Sequence, residues 1–147
     1  MEKSTDKIRN MITSATSESE FLKIRKENIH SSDFGGYVLS LCDKYALTSG
    51  ALQLELAGRG VSKSNYHKVL SGKGRPSKLT VIKFALTLGA SLDETDRLLK
   101  LAGHKELYAK DPDDSILIFC MQNGYDVYKT DEMLIKNGSK YRIFKAE

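Results

Sequence analysis

At 147 residues and a formal net charge of +4, the chain is long enough to bury a core without metals or disulfides, and it reads as one unit with a small appendage. Hydrophobic residues at 40% and charged residues at 29% are those of an ordinary soluble globular protein. No apolar run approaches the roughly eighteen residues that span a bilayer, and the start, MEKSTDKIRN, has no signal-peptide apolar core. The expected location is the cytoplasm, with no membrane partner. Cys42 and Cys120, each among apolar residues, are expected as buried free thiols.

In chain order, Ile8, Met11, Ile12 and Ala15 recur at helical spacing over residues 5–14. Ser17 and Glu20 form a capping-box pair opening a helix to Lys26 that carries Phe21, Leu22 and Ile24. Asp33 can cap a helix with Phe34, Val38, Leu41 and Tyr45 on one face. ALQLEL, residues 51–56, alternates like a strand. Yet Leu52 and Leu56 are also i, i+4, and no other segment offers a strand partner, so a helix from Ser49 to Ala57 is predicted. Gly58 and Gly60 end it, and Ser62 caps a helix from Lys63 to Leu70 stopped by Gly72. Ser77 caps Lys78 to Leu88, with Leu79, Ile82, Ala85 and Leu86 inward and Gly89 as the stop. SLDE, Ser91 to Glu94, is another capping box, opening a helix with Leu98, Leu99 and Ala102 that Gly103 closes. Asp111-Pro112 starts a helix with Ile116, Leu117, Phe119 and Cys120 that ends at Asn123-Gly124. A last helix runs near Val127 to Lys136, and the tail YRIF is expected to dock on the core. The fold class is therefore all-α.

The charge is unevenly placed. Between Glu55 and Asp93 there is no acid, and Arg59, Lys63, Lys68, Lys73, Arg75, Lys78 and Lys83 make that window +7. The remainder is 16 − 19 = −3. A one-signed stretch self-repels and does little for a fold, so it points to a polyanion partner.

GRGVSKSNYHKVLSGKGRPSK, residues 58–78, concentrates this charge. A phosphate-cradling loop would need glycines at 57 and 62, where Ala57 and Ser62 stand. His30, His67 and His104 are scattered and the cysteines unpaired, so no metal-ligand spacing appears, and no cofactor or catalytic constellation is expected. KGRP, Lys73 to Pro76, is close to an AT-hook core, but closely flanking helices make it a tight loop. What remains is helix, short turn, helix. In a helix-turn-helix the second helix enters the major groove and its N-terminal residues meet base edges. Lys63, Ser64, Asn65, His67 and Lys68 supply base-reading donors; Tyr66, Val69 and Leu70 supply the buried side. Arg59, Ser62, Lys73, Arg75 and Lys78 are the expected phosphate contacts.

Residues 61–77 resemble the Cro/phage-repressor (XRE-type) helix-turn-helix: a recognition helix, a Gly-Lys-x-x-Pro loop, then a helix ending at the turn Leu88-Gly89-Ala90-Ser91. Downstream, SLDETDRLLKLAGHKELYAKDPDDSILIF, Ser91 to Phe119, is similar to a small bacterial subfamily of these proteins. The resemblance implies a lambda-repressor-like core of about five helices over residues 31–103, an N-terminal helical segment over 1–30 and a C-terminal helical extension over 104–147. It implies binding to double-stranded DNA and transcription regulation, without enzymatic activity. A homodimer on half-sites one helical turn apart is the corresponding assembly. This chain departs from the pattern in the first helix, which lacks a Gln after its cap. The step from Leu56-Ala57 to Val61 is also one residue short. The alternative is a protein-interaction module, an adaptor or anti-repressor, whose partner meets Tyr108, Tyr125, Tyr128 and Tyr141 of the C-terminal helices. About four cations on phosphates would give a salt slope of affinity near −3.6.

Overall fold

The computed structural model describes residues 5–22 and 33–146. All regular structure among them is helical: α1 (Thr5–Thr13), α2 (Phe34–Lys44), α3 (Ser49–Ala57), α4 (Lys63–Leu70), α5 (Lys78–Leu88), α6 (Leu92–Leu101), α7 (Pro112–Gln122) and α8 (Val127–Lys136). Residues 18–22 are helical as well. No described helix is long and apolar enough to cross a membrane.

One device starts seven helices. The side chains of Asp33, Thr48, Ser62, Ser77, Ser91, Asp111 and Asp126 each accept the backbone N–H three residues on, opening α2 to α8. This satisfies a donor that the first helical turn leaves without a partner. The Ser91–Glu94 box is reciprocal. The Ser17–Glu20 pair is not: Ser17 Oγ accepts the Glu20 N–H at 3.1 Å, but the Glu20 carboxylate reaches back to the N–H of Thr16 instead. The rest of that expected helix, Lys23 to Lys26, and His30 lie outside the described residues.

ALQLEL is helical. Leu52 and Leu56 are fully buried, while Leu54 is 71% exposed, so the i, i+4 pair carries the burial. α5 runs through the middle of the molecule and is buried on nearly every side, by Thr80, Val81, Ile82, Lys83, Phe84, Ala85 and Leu88. The expected single stripe was too narrow, and Leu79 and Leu86 are only half-buried. Phe84 meets Phe34 of α2 edge-on at 5.6 Å and stacks on Tyr66 of α4 at 5.8 Å. Each such fully buried aromatic contributes roughly 2–3 kcal/mol.

α2 lies directly on α4. A Cβ at Gly35 would stand 2.1 Å from the carbonyl oxygen of Leu70, so only glycine allows this approach. Tyr45, expected on the inner face of α2, sits instead at its C-cap and donates its hydroxyl to Glu94. One core runs from Phe34 to Ile143 and includes Leu117, Val127 and Leu134, so the C-terminal extension shares it. Cys42 and Cys120 are both buried and unpaired.

Candidate nucleic-acid interface

α4 is held by one edge. Tyr66 and Val69 are buried, and Leu70 is half-buried. The Tyr66 hydroxyl donates to the Ser49 carbonyl at 3.1 Å and lies 2.7 Å from the Ser49 hydroxyl. Burial raises the Tyr66 pKa, so the phenol stays a donor. This bond ties the middle of α4 to the start of α3 and sets the angle between them. The other edge of α4 carries Lys63, Ser64, Asn65, His67 and Lys68, all exposed. The five expected base-reading residues therefore share one open face. Ser62 Oγ caps the helix by accepting the Asn65 N–H at 3.1 Å, which holds the first turn in place behind that face.

The expected phosphate contacts separate by their surroundings. Lys73 is exposed in the loop after α4, with its own N–H on the Lys68 carbonyl at 3.0 Å. Arg75 is turned back: its Nε donates to the Ala102 carbonyl at 2.8 Å and its Nη2 to the Gly103 carbonyl, closing the C-terminus of α6. Lys78 donates to Asp114 of α7 at 2.6 Å, and that carboxylate is buried. Arg59 is 7% exposed, over the Phe144 ring at 5.7 Å and 3.8 Å from Glu55. Arg59 is thus buried and Lys78 paired with an acid, whereas Arg75 is exposed and bonds only carbonyls. Lys83, counted in the +7 window, is fully buried and donates to the Lys145 carbonyl at 2.7 Å.

The loop KGRP is pinned from below as well as closed by Arg75. Pro76 is buried, and its carbonyl lies 2.8 Å from His104 Nε2. His104 is thus a support of the loop, while His67 stays on the open face.

Two supports were missed in the sequence. One is Ser49 beneath Tyr66. The other is the tail: Gly60, at φ +80°, faces the backbone of Lys145 and Ala146, and a Cβ there would stand 2.6 Å from Ala146. Docking of YRIF on the core is seen in Ile143, which is fully buried, and it extends on to the α3–α4 turn. A glycine in a turn flanked by residues that pack is a weak signal for such an approach.

Comparison with protein-family models, with curated proteins and with solved structures finds no match to this chain.

Proposed function

We propose that the chain is a sequence-specific double-stranded DNA-binding protein of the XRE helix-turn-helix type, acting as a transcription regulator, with α3 and α4 as the motif and α4 as the reading helix. The observation that carries this is the open face of α4. Five donor-bearing side chains lie on it, no acid interrupts it, and Lys63, Lys68 and Lys73 have no ion-pair partner among the described residues. Asn65 suits adenine N6 and N7, and the lysines suit guanine O6 and N7 or phosphates. The mechanism is equilibrium binding.

Selection of bound sequences from a random duplex pool tests the reading. A symmetric enriched site is the expected result and also reports a homodimer. Absence of any enriched sequence would overturn it. A second reading, a protein-interaction module, rests on the exposed aromatics Tyr108, Tyr128 and Phe144 of the C-terminal part, whereas Tyr125 and Tyr141 are half-buried. Capture of a protein but no duplex DNA would favour it.

A further inference from the structure

Residues 140–146 follow α8 as neither helix nor strand, yet they reach the α3–α4 turn. No backbone–backbone hydrogen bond joins them to the rest of the described residues. Side chains hold them instead. The root is Ile143, which is fully buried and donates its N–H to Asp131 of α8 at 2.9 Å. Beyond that root Phe144, Lys145 and Ala146 are exposed, so burial alone does not fix them.

Three contacts do. Lys83, fully buried in the central helix α5, donates to the Lys145 carbonyl at 2.7 Å. Phe144 stacks on Tyr128 of α8 at 5.2 Å, and the Arg59 guanidinium lies 5.7 Å from the same ring. The backbone of Lys145 and Ala146 lies against Gly60, where a Cβ would stand 2.6 Å from Ala146. Two of these three contacts are made by the α3–α4 turn itself. That turn is closed by the N–H groups of Arg59 and Val61 on the Leu56 carbonyl, at 2.9 and 3.0 Å, and of Gly60 on Ala57 at 3.3 Å. α4 starts just beyond, at Lys63. A segment with few pins and no ladder has the local make-up that opens apart from the whole fold.

We propose that residues 144–146 are a releasable strap on the α3–α4 turn. Pinned by Lys83, the strap holds the turn closed; when it lifts from Gly60, the turn loosens while the core stays folded. It is a regulatory contact between the C-terminal extension and the lead-in to α4. It does not depend on whether α4 reads DNA.

The test is amide hydrogen exchange of the full-length protein and of its Lys83→Met and Phe144→Ala variants. Methionine keeps the length of the lysine stem and removes the donor. Phe144 is exposed, so its replacement leaves the core intact. The amides of Leu98 and Leu99 in α6, two fully buried residues, report opening of the whole core. Relative to them, exchange at the amides of Arg59, Gly60 and Val61 should speed up about tenfold or more in Lys83→Met, as loss of a hydrogen bond from a charged donor implies. In Phe144→Ala the relative gain should be about threefold, from the lost ring contacts. Unchanged exchange at 59–61 in both variants overturns the strap. A rise at 59–61 that only matches the rise at 98–99 overturns it too, and makes the tail ordinary packing.

Discussion

The seven cations between Glu55 and Asp93 divide by what stands opposite them. On the outer face of α4 and its loop, Lys63, Lys68 and Lys73 are exposed and have no ion-pair partner among the described residues. Along the seam between that region and the C-terminal helices, Arg59, Lys78 and Lys83 are turned inward, while Arg75 is exposed and bonded to the end of α6. The four lie against an aromatic ring, helix-end carbonyls, a buried carboxylate and a tail carbonyl. The same residue types thus do two jobs. The outer group is available for a polyanion; Arg59, Lys78 and Lys83 join the C-terminal extension to the rest, and Arg75 closes α6. Net charge along a sequence overstates the first by counting the second.

The sharpest separation of the two groups comes from Asp114. Both of its oxygens are used, one by Lys78 at 2.6 Å and one by the Tyr108 N–H at 3.0 Å. Asp114→Ala leaves a part-buried ammonium and a backbone donor without partners. Urea unfolding should show a loss of about 3–5 kcal/mol. Lys68→Ala, by contrast, should change stability by no more than about 0.5 kcal/mol. On the proposed reading, DNA affinity of the folded protein should respond in the opposite order. Equal stability losses in the two variants would erase the distinction.

Salt dependence tests the same division as a number. On the proposed reading, if Lys63 and Lys68 neutralise phosphates beside the bases they read, as Lys73 does from the loop, three lysines give a slope of log affinity against log salt near −2.7, lower in size than the −3.6 expected from four. All seven cations together would give about −6.3. A tenfold rise in salt should therefore cost about 500-fold in affinity for duplex DNA. A measured slope near the larger value would mean that the inner cations are released on binding.

Much of the frame was legible because caps and stops are local. Asp33, Ser62, Ser77, Ser91 and Asp111 act within three residues of themselves, and the sequence shows both partners at once. Side-chain direction is not local. The partner of Arg75 is 27 residues away, that of Lys78 is 36 and that of Lys83 is 62, so nothing in the basic stretch itself says which way each cation turns. A hint was present in α7. Asp114 shares a helical stripe with Leu117 and Met121, and an acid in that register needs a cation. The candidate face of α4 was readable from its pattern, since Tyr66, Val69 and Leu70 fall on one side. The C-terminal tail under Gly60 was not, because only the folded chain brings Lys145 and Ala146 to the turn.

A smaller effect probes the outer group one residue at a time. On the proposed reading, Asn65→Ala removes a bidentate base contact and should cost roughly 1–3 kcal/mol at the preferred site. Binding to unrelated duplexes should hardly change. Lys73→Ala should instead weaken all sequences alike and lower the size of the salt slope by about 0.9. Competition assays with specific and scrambled duplexes read both. Identical behaviour of the two variants would contradict the assignment of α4 as reader and the loop as anchor.

The smallest effect concerns the seam at the start of α6, and pH is its probe. Burial pushes the Glu94 carboxyl up. Hydrogen bonds from Lys44 at 2.7 Å, from the Ser91 N–H at 2.9 Å and from the Tyr45 hydroxyl outweigh it and, with the Lys44 charge, hold the group at about 2. The ordinary value is 4.5. A folded-state value below the unfolded one means that the unfolded chain takes up the proton first. The stabilisation from Glu94 is then complete above about pH 4.5 and is lost as the pH falls toward 2. Because Lys44 is largely exposed, its ion pair adds little, and the cap dominates. Glu94→Gln should therefore cost on the order of 1 kcal/mol at neutral pH. Chemical unfolding across the acid range should bring the two proteins together as the pH approaches 2. A gap between them that stays constant from neutral pH down to that point would show that the carboxylate charge contributes nothing beyond the amide that replaces it.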